Sequence, residues 1–468
     1  MSIFYSYTKL NSKSVAVIDD ENNKYKYSDL ISFKNVFKSK IPERSLVFCL
    51  CKNNIESLIG YFSFLENKIV PLLLDADINA DLLYHLVNTY KPNYIWKPTC
   101  NIDESQKSNI IYDYNNYSLV FLKSNPSIKI CDSLALLMTT SGSTGSPKLV
   151  RLSYDNILSN AISISKYLLI DKNERPITTL PFNYSFGMSI INSHLINGST
   201  ILLTNKSVFS PEFWNFLKIN KPTSISGVPY TFEMLKKLRL FSMNLPFISS
   251  ITQAGGKMDL NLNKELAEYC KKTNKRLYVM YGQTEASPRI SYLPHEKSLE
   301  KIGSIGIPIP DGDLSLIDSN GQPINENHLE GELVYKGSNV CLGYASKISD
   351  LVKKDDNNGI LYTGDIAYRD NDNFFYITGR KKRFIKLFGN RINLDHVERL
   401  VNEQICESAC VGNDNILLLY VVEENKINEA KKFLIEKFKL NSKFIKLKLI
   451  NEIPKNSYGK TLYSALNI

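Results

Sequence analysis

Leu-Met-Thr-Thr-Ser-Gly-Ser-Thr-Gly-Ser-Pro-Lys, residues 137–148, is the stretch on which the reading of this chain turns. Residues 134–138 form an apolar run of strand length. Nine of the ten residues 139–148 are Thr, Ser, Gly or Pro, and Lys148 closes them. Downstream, Ile157, Ala161, Ile164 and Leu168 recur at helical spacing, with Ser153 placed as an N-cap. A strand entering a small-residue loop ahead of a helix surrounds a phosphate with backbone N–H groups and hydroxyls. Thr140, Ser141, Gly142, Ser143, Thr144, Gly145 and Lys148 are the candidate phosphate contacts. The loop is not of the Walker type, which needs a glycine five positions after Gly142 and a Ser or Thr after the lysine. Pro147 and Leu149 hold those places, and Pro147 has no N–H to offer. A Ser/Gly linker is the other reading of such a composition, but patterned apolar segments flank this one closely on both sides.

A chain of 468 residues allows two to four domains and a substantial core. Hydrophobic content of 43% and 22% charged residues are ordinary globular values. The net charge of +10 favours acidic partners such as nucleotides, coenzyme A or an acidic acyl carrier protein, without singling out nucleic acid. No run approaches the roughly 18 apolar residues of a membrane span. The first nine residues lack the basic and apolar regions of a signal peptide. A cytoplasmic protein with no membrane and no nucleic-acid partner is expected. The eight cysteines are scattered, and neither close pair (Cys49/Cys51, Cys406/Cys410) has zinc-framework spacing with a histidine. Buried free thiols are expected, and no structural metal.

Residues 1–130 alternate strand-like segments (45–50, 68–74) with helical periodicity (55–64), which argues for parallel α/β architecture. The pattern continues through 178–180, 200–203, 224–228 and 278–281. From about 302 to 377 short strands with closely spaced Gly, Pro, Asp and Asn predict a β-rich subdomain. A basic cluster follows: Arg380, Lys381, Lys382, Arg383, Lys386 and Arg391. The last segment predicts a helix over 394–403, a strand over 416–422, a helix over 427–438 and a strand over 444–450. This is a small α+β domain. The expected division is a large domain 1–380, with mixed and parallel sheets plus helices, and a small domain 381–468.

Tyr-Val-Met-Tyr-Gly-Gln-Thr-Glu-Ala-Ser (278–287) reads as a strand whose closing turn presents Tyr281, Thr284 and Glu285. An acidic residue just past a strand end suits Mg²⁺ beside a triphosphate, and a tyrosine ring suits a purine. An ordinary strand-to-helix turn is the alternative. Tyr-Thr-Gly-Asp-Ile (362–366) offers Asp365 either as an acceptor for ribose hydroxyls or as a hairpin-turn residue. The basic run 379–392 is a solvated face, a nucleic-acid patch or a nucleotide-contacting segment. Interleaved Phe384, Ile385, Leu387 and Ile392 favour a packed structure from which selected lysines project. Lys460 ends Pro-Lys-Asn-Ser-Tyr-Gly-Lys (454–460), a loop able to swing a lysine over a phosphate.

Taken in order, these pieces resemble the adenylate-forming superfamily: acyl-CoA synthetases, peptide-synthetase adenylation domains, D-alanine–carrier-protein ligases and luciferases. The resemblance covers nearly the whole chain. Residues 140–148 are similar to its phosphate loop, 226–230 and 254–257 to its Gly-Val-Pro and Gly-Gly segments, and 281–285 to its Tyr-Gly-x-Thr-Glu motif. Residues 331–333 with 343–344, then 363–365, 379–386 and Lys460, continue the series. The resemblance implies an ATP- and Mg²⁺-dependent ligase. It would join a small carboxylic acid to AMP and pass the acyl group to a thiol, on CoA or on carrier-protein phosphopantetheine.

The same resemblance assigns Lys460, Thr284, Glu285 and Lys386 to catalysis, with Glu285 also on Mg²⁺. The nucleotide would be held by residues 140–145 and Lys148, by Gly255, Gly256, Tyr281, Gly282 and Gln283, and by Asp365 and Arg380. Lys460 would bridge the carboxylate and the α-phosphate. Lys382 would be the hinge of a mobile small domain. Asn183, Tyr184, Gly187 and Val228 would line the acid pocket. Two departures bear on this. Leu149 stands where the family has a glycine after the loop lysine. Asn183 stands where amino-acid-activating relatives carry an Asp, and a neutral amide cannot pair with a substrate ammonium. Carboxylic acids are thereby favoured over the alternative, an amino-acid-activating adenylation enzyme. A non-catalytic nucleotide-binding protein of the same fold is the alternative of another class; Lys460, Glu285 and Asp365, whose loss would signal it, are all present. A nucleic-acid binder using 380–391 lacks stacking aromatics and any recognised module.

Overall fold

Leu134–Thr139 is a strand, buried along almost its whole length, as the apolar run predicts. The chain does not pass from the loop into a helix, however. Leu149–Ser153 returns as a second strand antiparallel to the first, Thr139 opposite Leu149 and Leu134 opposite Ser153. The two strands flanking residues 140–147 are thus paired, and the five residues of the second separate that stretch from the helix Tyr154–Leu168. Every residue of that returning strand is buried, so pairing and burial together outweigh the simpler strand–loop–helix path. Ser153 is the N-cap: its Oγ accepts the Asn156 N–H at 3.0 Å, and Asn156 Oδ1 accepts the Ser153 N–H at 2.8 Å.

The computed structural model describes residues 3–122, 128–139, 148–387, 390–438, 440–455 and 459–467, and the strand counts below refer to them. Thr140, Ser141, Gly142, Ser143, Thr144 and Gly145 lie outside the described residues. The chain divides into two compact units, Met1–Asp313 with Tyr335–Leu361, and Leu314–Val334 with Tyr362–Ile468.

The first unit holds two large sheets. One has eight strands, four adjacent ones parallel: Leu134–Thr139, Val70–Asp75, Leu46–Cys51 and Tyr94–Pro98. The other has nine, with six adjacent parallel strands: Arg276–Gly282, Ser250–Gln253, Ser224–Gly227, Pro176–Ile177, Ile201–Leu202 and Val15–Ile18. Antiparallel strands finish the edges of both. Parallel strands need cover on both faces, which explains their near-continuous apolar sequences. Helices Ile55–Glu66 and Ser185–Leu195 are buried at every position, as a helix enclosed on all sides must be. Their apolar residues share one core with Val47, Cys49 and Leu73 of one sheet and Ala16, Val17 and Ile201 of the other. The α/β class read from the sequence is the observed one.

The second unit holds most of a four-stranded sheet, in which Ile360–Arg369 pairs antiparallel with Phe375–Arg380. A short hairpin follows, Phe384–Leu387 with Asn390–Asn393. Beyond it a three-stranded sheet (Ser408–Asn413, Ile416–Val421, Ile445–Leu449) carries helices Leu394–Gln404 and Ile427–Phe438. Val397, Val401, Leu417, Leu419 and Leu434 fill its core. The α+β order expected from residue 394 onward is present. All eight cysteines are free. No helix among the described residues is long and apolar enough to cross a membrane.

Candidate active site

The strand Arg276–Gly282 ends because the chain must turn sharply back: a Cβ on Gly282 would lie 2.0 Å from the Pro288 carbonyl oxygen. The next residues, Thr284–Ala286, form one 3₁₀ turn. Thr284 Oγ1 lies 3.2 Å from Ser185 Oγ, at the start of the fully buried helix. The Gln283 side chain donates to the Tyr281 hydroxyl at 3.1 Å. Glu285 Oε1 accepts the Tyr344 hydroxyl at 2.8 Å, and the Glu285 carbonyl accepts the Cys341 N–H at 2.8 Å. Lys148 Nζ sits 3.6 Å from the centre of the Tyr344 ring, a cation–π contact. The loop lysine, the Tyr-Gly-Gln-Thr-Glu turn and the Gly-Tyr element thus converge, although nearly 200 residues separate the first from the last. Burial, and then the Glu285 carboxylate, push the Tyr344 phenol well above its ordinary pKa, so it remains a donor.

Arg151 holds this arrangement from beneath. Its side chain is fully buried and donates to the carbonyls of Leu342, Tyr344, Lys353 and Lys354, and to Asp356 Oδ2 at 2.6 Å. Gly343, at φ +112°, lets the backbone pass close enough: a Cβ there would meet Asp356 Oδ2 at 2.8 Å and Arg151 Nη2 at 3.0 Å. The local sequence around Tyr344 and Arg151 announces neither contact; only the Gly-Tyr pair was a visible signal.

The residues fit Mg²⁺ of the kind that accompanies a nucleotide. One oxygen of Glu285 is taken by Tyr344, and the carboxylate keeps further acceptor capacity. Among the described residues, no group of three or more His, Cys, Asp or Glu gathers as a protein cage. Mg²⁺ binds through one or two carboxylates, retained waters and substrate phosphates.

Two acid-pocket candidates, Tyr184 and Val228, meet at Gly255, a glycine read from the sequence as a nucleotide contact. Gly255 has φ +85°, and a Cβ on it would lie 2.6 Å from the Tyr184 hydroxyl and 3.0 Å from Val228 Cγ1. Gly187 lets the first turn of the buried helix press on the preceding loop, where a Cβ would stand 2.3 Å from the Pro181 carbonyl oxygen. Gly256 accepts the Gln253 side chain at 2.9 Å through its carbonyl. Asn183 is half-buried immediately ahead of Tyr184. Gly255→Ala is expected to displace Tyr184, raising the KM for the acid and costing about 1–3 kcal/mol of stability through the left-handed backbone. Steady-state kinetics with a thermal melt check this; an unaltered KM in a folded variant would remove Tyr184 from the pocket.

In the second unit Asp365 lies within a strand, not at a hairpin turn, paired across the ladder with Arg380. Its carboxylate is buried and Arg380 Nε sits 3.1 Å from Oδ1, with the arginine half-exposed. Thr363 Oγ1 donates to the Leu333 carbonyl at 2.7 Å and accepts the Asp365 N–H at 3.1 Å, fixing the strand locally. Lys382 is exposed on the 3₁₀ segment Lys381–Arg383. Lys386 is exposed on the following strand, its N–H donating to Asp414 Oδ1 at 2.7 Å. Lys460 is exposed beside a bridge between Lys455 and Thr461 that closes its loop. Asp365→Ala is expected to weaken ATP binding, each charge-assisted hydrogen bond to ribose being worth roughly 1.5–3 kcal/mol. Calorimetric titration with ATP measures this, and an unchanged dissociation constant in a folded variant would take Asp365 out of the site.

The profile of the AMP-binding enzyme family matches residues 13–345. The chain belongs to that family. Among curated relatives of this AMP-binding enzyme is the 2-succinylbenzoate–CoA ligase of Bacillus subtilis, 29% identical over 348 residues, spanning 72% of this chain and 69% of the relative. A long-chain-fatty-acid–CoA ligase of Salmonella typhimurium is 30% identical over 351 residues, 71% of this chain and 61% of the relative. The fold is shared with the O-succinylbenzoate coenzyme A synthetase of Bacillus subtilis, solved with ATP and a magnesium ion. That match has a TM-score of 0.78 at 22% identity and covers 99% of each chain. The superfamily read from the ordered motifs is therefore the right one.

Proposed function

We infer that this AMP-binding enzyme is an ATP- and Mg²⁺-dependent acid–thiol ligase: it converts a small carboxylic acid to an acyl-AMP, releases pyrophosphate, and transfers the acyl group to coenzyme A. The observation that carries this reading is the convergence of Lys148, Glu285 and Tyr344 beside Thr284. It sets a cation, a carboxylate and a hydroxyl together beside the turn Thr284–Ala286. The CoA-ligase names of its relatives support the acceptor.

A carboxylate resists nucleophilic attack because of its charge and resonance, and its attack on a triphosphate brings two anions together. Lys148 and Lys460 supply positive charge to the phosphates and to the developing bond, the kind of electrostatic stabilisation that dominates such reactions. Glu285 would hold Mg²⁺, which would neutralise phosphate charge; Tyr344 fixes that carboxylate. Asp365 accepts ribose hydroxyls and Arg380, 3.1 Å away, orients that carboxylate. Tyr184, Val228 and Gly255 shape the acid's end of the pocket. Lys382 is the hinge and residues 381–468 the mobile domain.

Phosphopantetheine on an acidic carrier protein is the second acceptor, favoured by the chain's net charge of +10. Eight free thiols fit a reducing compartment, the cytoplasm. Mass spectrometry of reactions containing an acid panel with CoA, or with a loaded carrier, tests the acceptor. Acyl-CoA is the expected product; acyl-AMP that accumulates with both thiols present would remove thiol transfer from the reading.

A further inference from the structure

One buried cation in the first unit has phenols beside it but no carboxylate in an ion pair with it. Arg289 begins the strand Arg289–Leu293 and is only 2% exposed. Its Nε reaches neither solvent nor a hydrogen-bond partner. The guanidinium lies flat on Phe186, 3.9 Å from the ring centre, with the Tyr167 and Tyr184 phenols as its polar surroundings. None of the ion pairs among the described residues involves it. A buried cation without a counter-anion is costly, and burial accordingly lowers its pKa. Arginine nevertheless stays charged.

Arg289 lines a small internal cavity of about 20 Å³ in which Ser189, Ser193, Ser226 and Thr252 face the apolar side chains of Ile164, Leu168, Ile170 and Ile190, room for about one water. The other ionisable groups there are accounted for. Burial pushes His194 down to about 4, so it is neutral at physiological pH. Glu174 is engaged with Arg276 at 3.6 Å and with the Thr223 hydroxyl. The Tyr184 phenol stands beside the Arg289 guanidinium and so relates the cavity to the acid-pocket residues. Ser226 and Thr252 pair on adjacent parallel strands that run on to Val228 and Gly255. Ser189 and Ser193 lie on the helix that begins just after Tyr184.

We propose that the acid activated by this enzyme is short and carries a second anionic group, and that Arg289 receives that group at the inner end of the pocket. A long hydrocarbon tail is disfavoured, since a cavity of about 20 Å³ has no room for it and a buried guanidinium stands at its wall. The proposal rests on the acid–thiol ligase reading.

ATP–pyrophosphate exchange tests it, with succinate, glutarate and adipate run against their monomethyl esters, equal-length monocarboxylates and long-chain fatty acids. A dicarboxylate should exceed its own monoester by roughly 10–100-fold in kcat/KM, the worth of one charge-assisted contact. Arg289→Met should abolish that preference, bringing the diacids' kcat/KM down to that of their monoesters, and Arg289→Lys should restore part of it. The wild-type series decides alone if Arg289→Met does not fold. Equal rates for diacids and monoesters, a best rate with long-chain acids, or an equal loss for every acid in Arg289→Met overturns the subsite and leaves the ligase reading standing. Exchange with no acid of any class overturns both.

Discussion

Replacing Lys460 with alanine should slow acyl-AMP formation by about 10²–10³, while thioester formation from supplied acyl-AMP stays close to the parent rate. The lysine is exposed, next to the Lys455–Thr461 bridge, so its loss opens no cavity in the core. What it removes is one cation at the point where charge accumulates on carboxylate and α-phosphate. That electrostatic contribution corresponds to about 3–4 kcal/mol in the transition state. Lys382→Pro should have the opposite signature. A proline fixes φ near −65° on an exposed 3₁₀ segment, leaving the first half-reaction intact and slowing the second, if backbone freedom at that residue links the two. Two single-step assays separate them. Both variants failing in the same step, while circular dichroism shows them folded, would contradict a hinge at Lys382.

The second large effect is structural. Arg151→Met should lower the melting temperature by roughly 5–10 °C and reduce acyl-AMP formation with it. Four backbone carbonyls and one carboxylate converge on that guanidinium, and its side chain has no exposed surface. Asp356 is half-exposed and water takes its place readily, so the cost lies chiefly with carbonyls left unsatisfied in the interior, about 3–5 kcal/mol in all. The segment Arg151 holds carries Tyr344, so the Tyr344–Glu285 bond should loosen too. Differential scanning calorimetry and an adenylation assay read both effects. A melting temperature within about 2 °C of the parent would show that the segment is held by other means.

Much of this was legible in the linear sequence wherever the signal is local. The apolar run before the loop, the Ser153 cap and the helices Leu394–Gln404 and Ile427–Phe438 all appear within about two residues of where periodicity and capping put them. The strand Leu149–Ser153 was not legible, because five residues with an arginine at their centre read as the approach to a helix. Only pairing with Leu134–Thr139 makes them a strand. Asp365 fails in the same way: Thr-Gly-Asp has turn composition, and its place within a strand follows from a partner fifteen residues on. Tyr344 was visible as half of a Gly-Tyr pair, yet its hydrogen bond to Glu285 spans 59 residues. Arg289 was not visible at all, since nothing about an arginine opening a strand announces that it will be buried on a phenylalanine ring. What sequence patterning conveys is which face of an element is apolar; which polar groups meet is a property of the folded chain.

The central claim, that this site joins a carboxylate to AMP, is tested most directly by acid-dependent exchange of labelled pyrophosphate into ATP with Mg²⁺ present. The account predicts exchange that requires a carboxylic acid, yields AMP and pyrophosphate as the only nucleotide and phosphate products, and disappears in Lys460→Ala. Acid-dependent release of ADP and orthophosphate without AMP would contradict it.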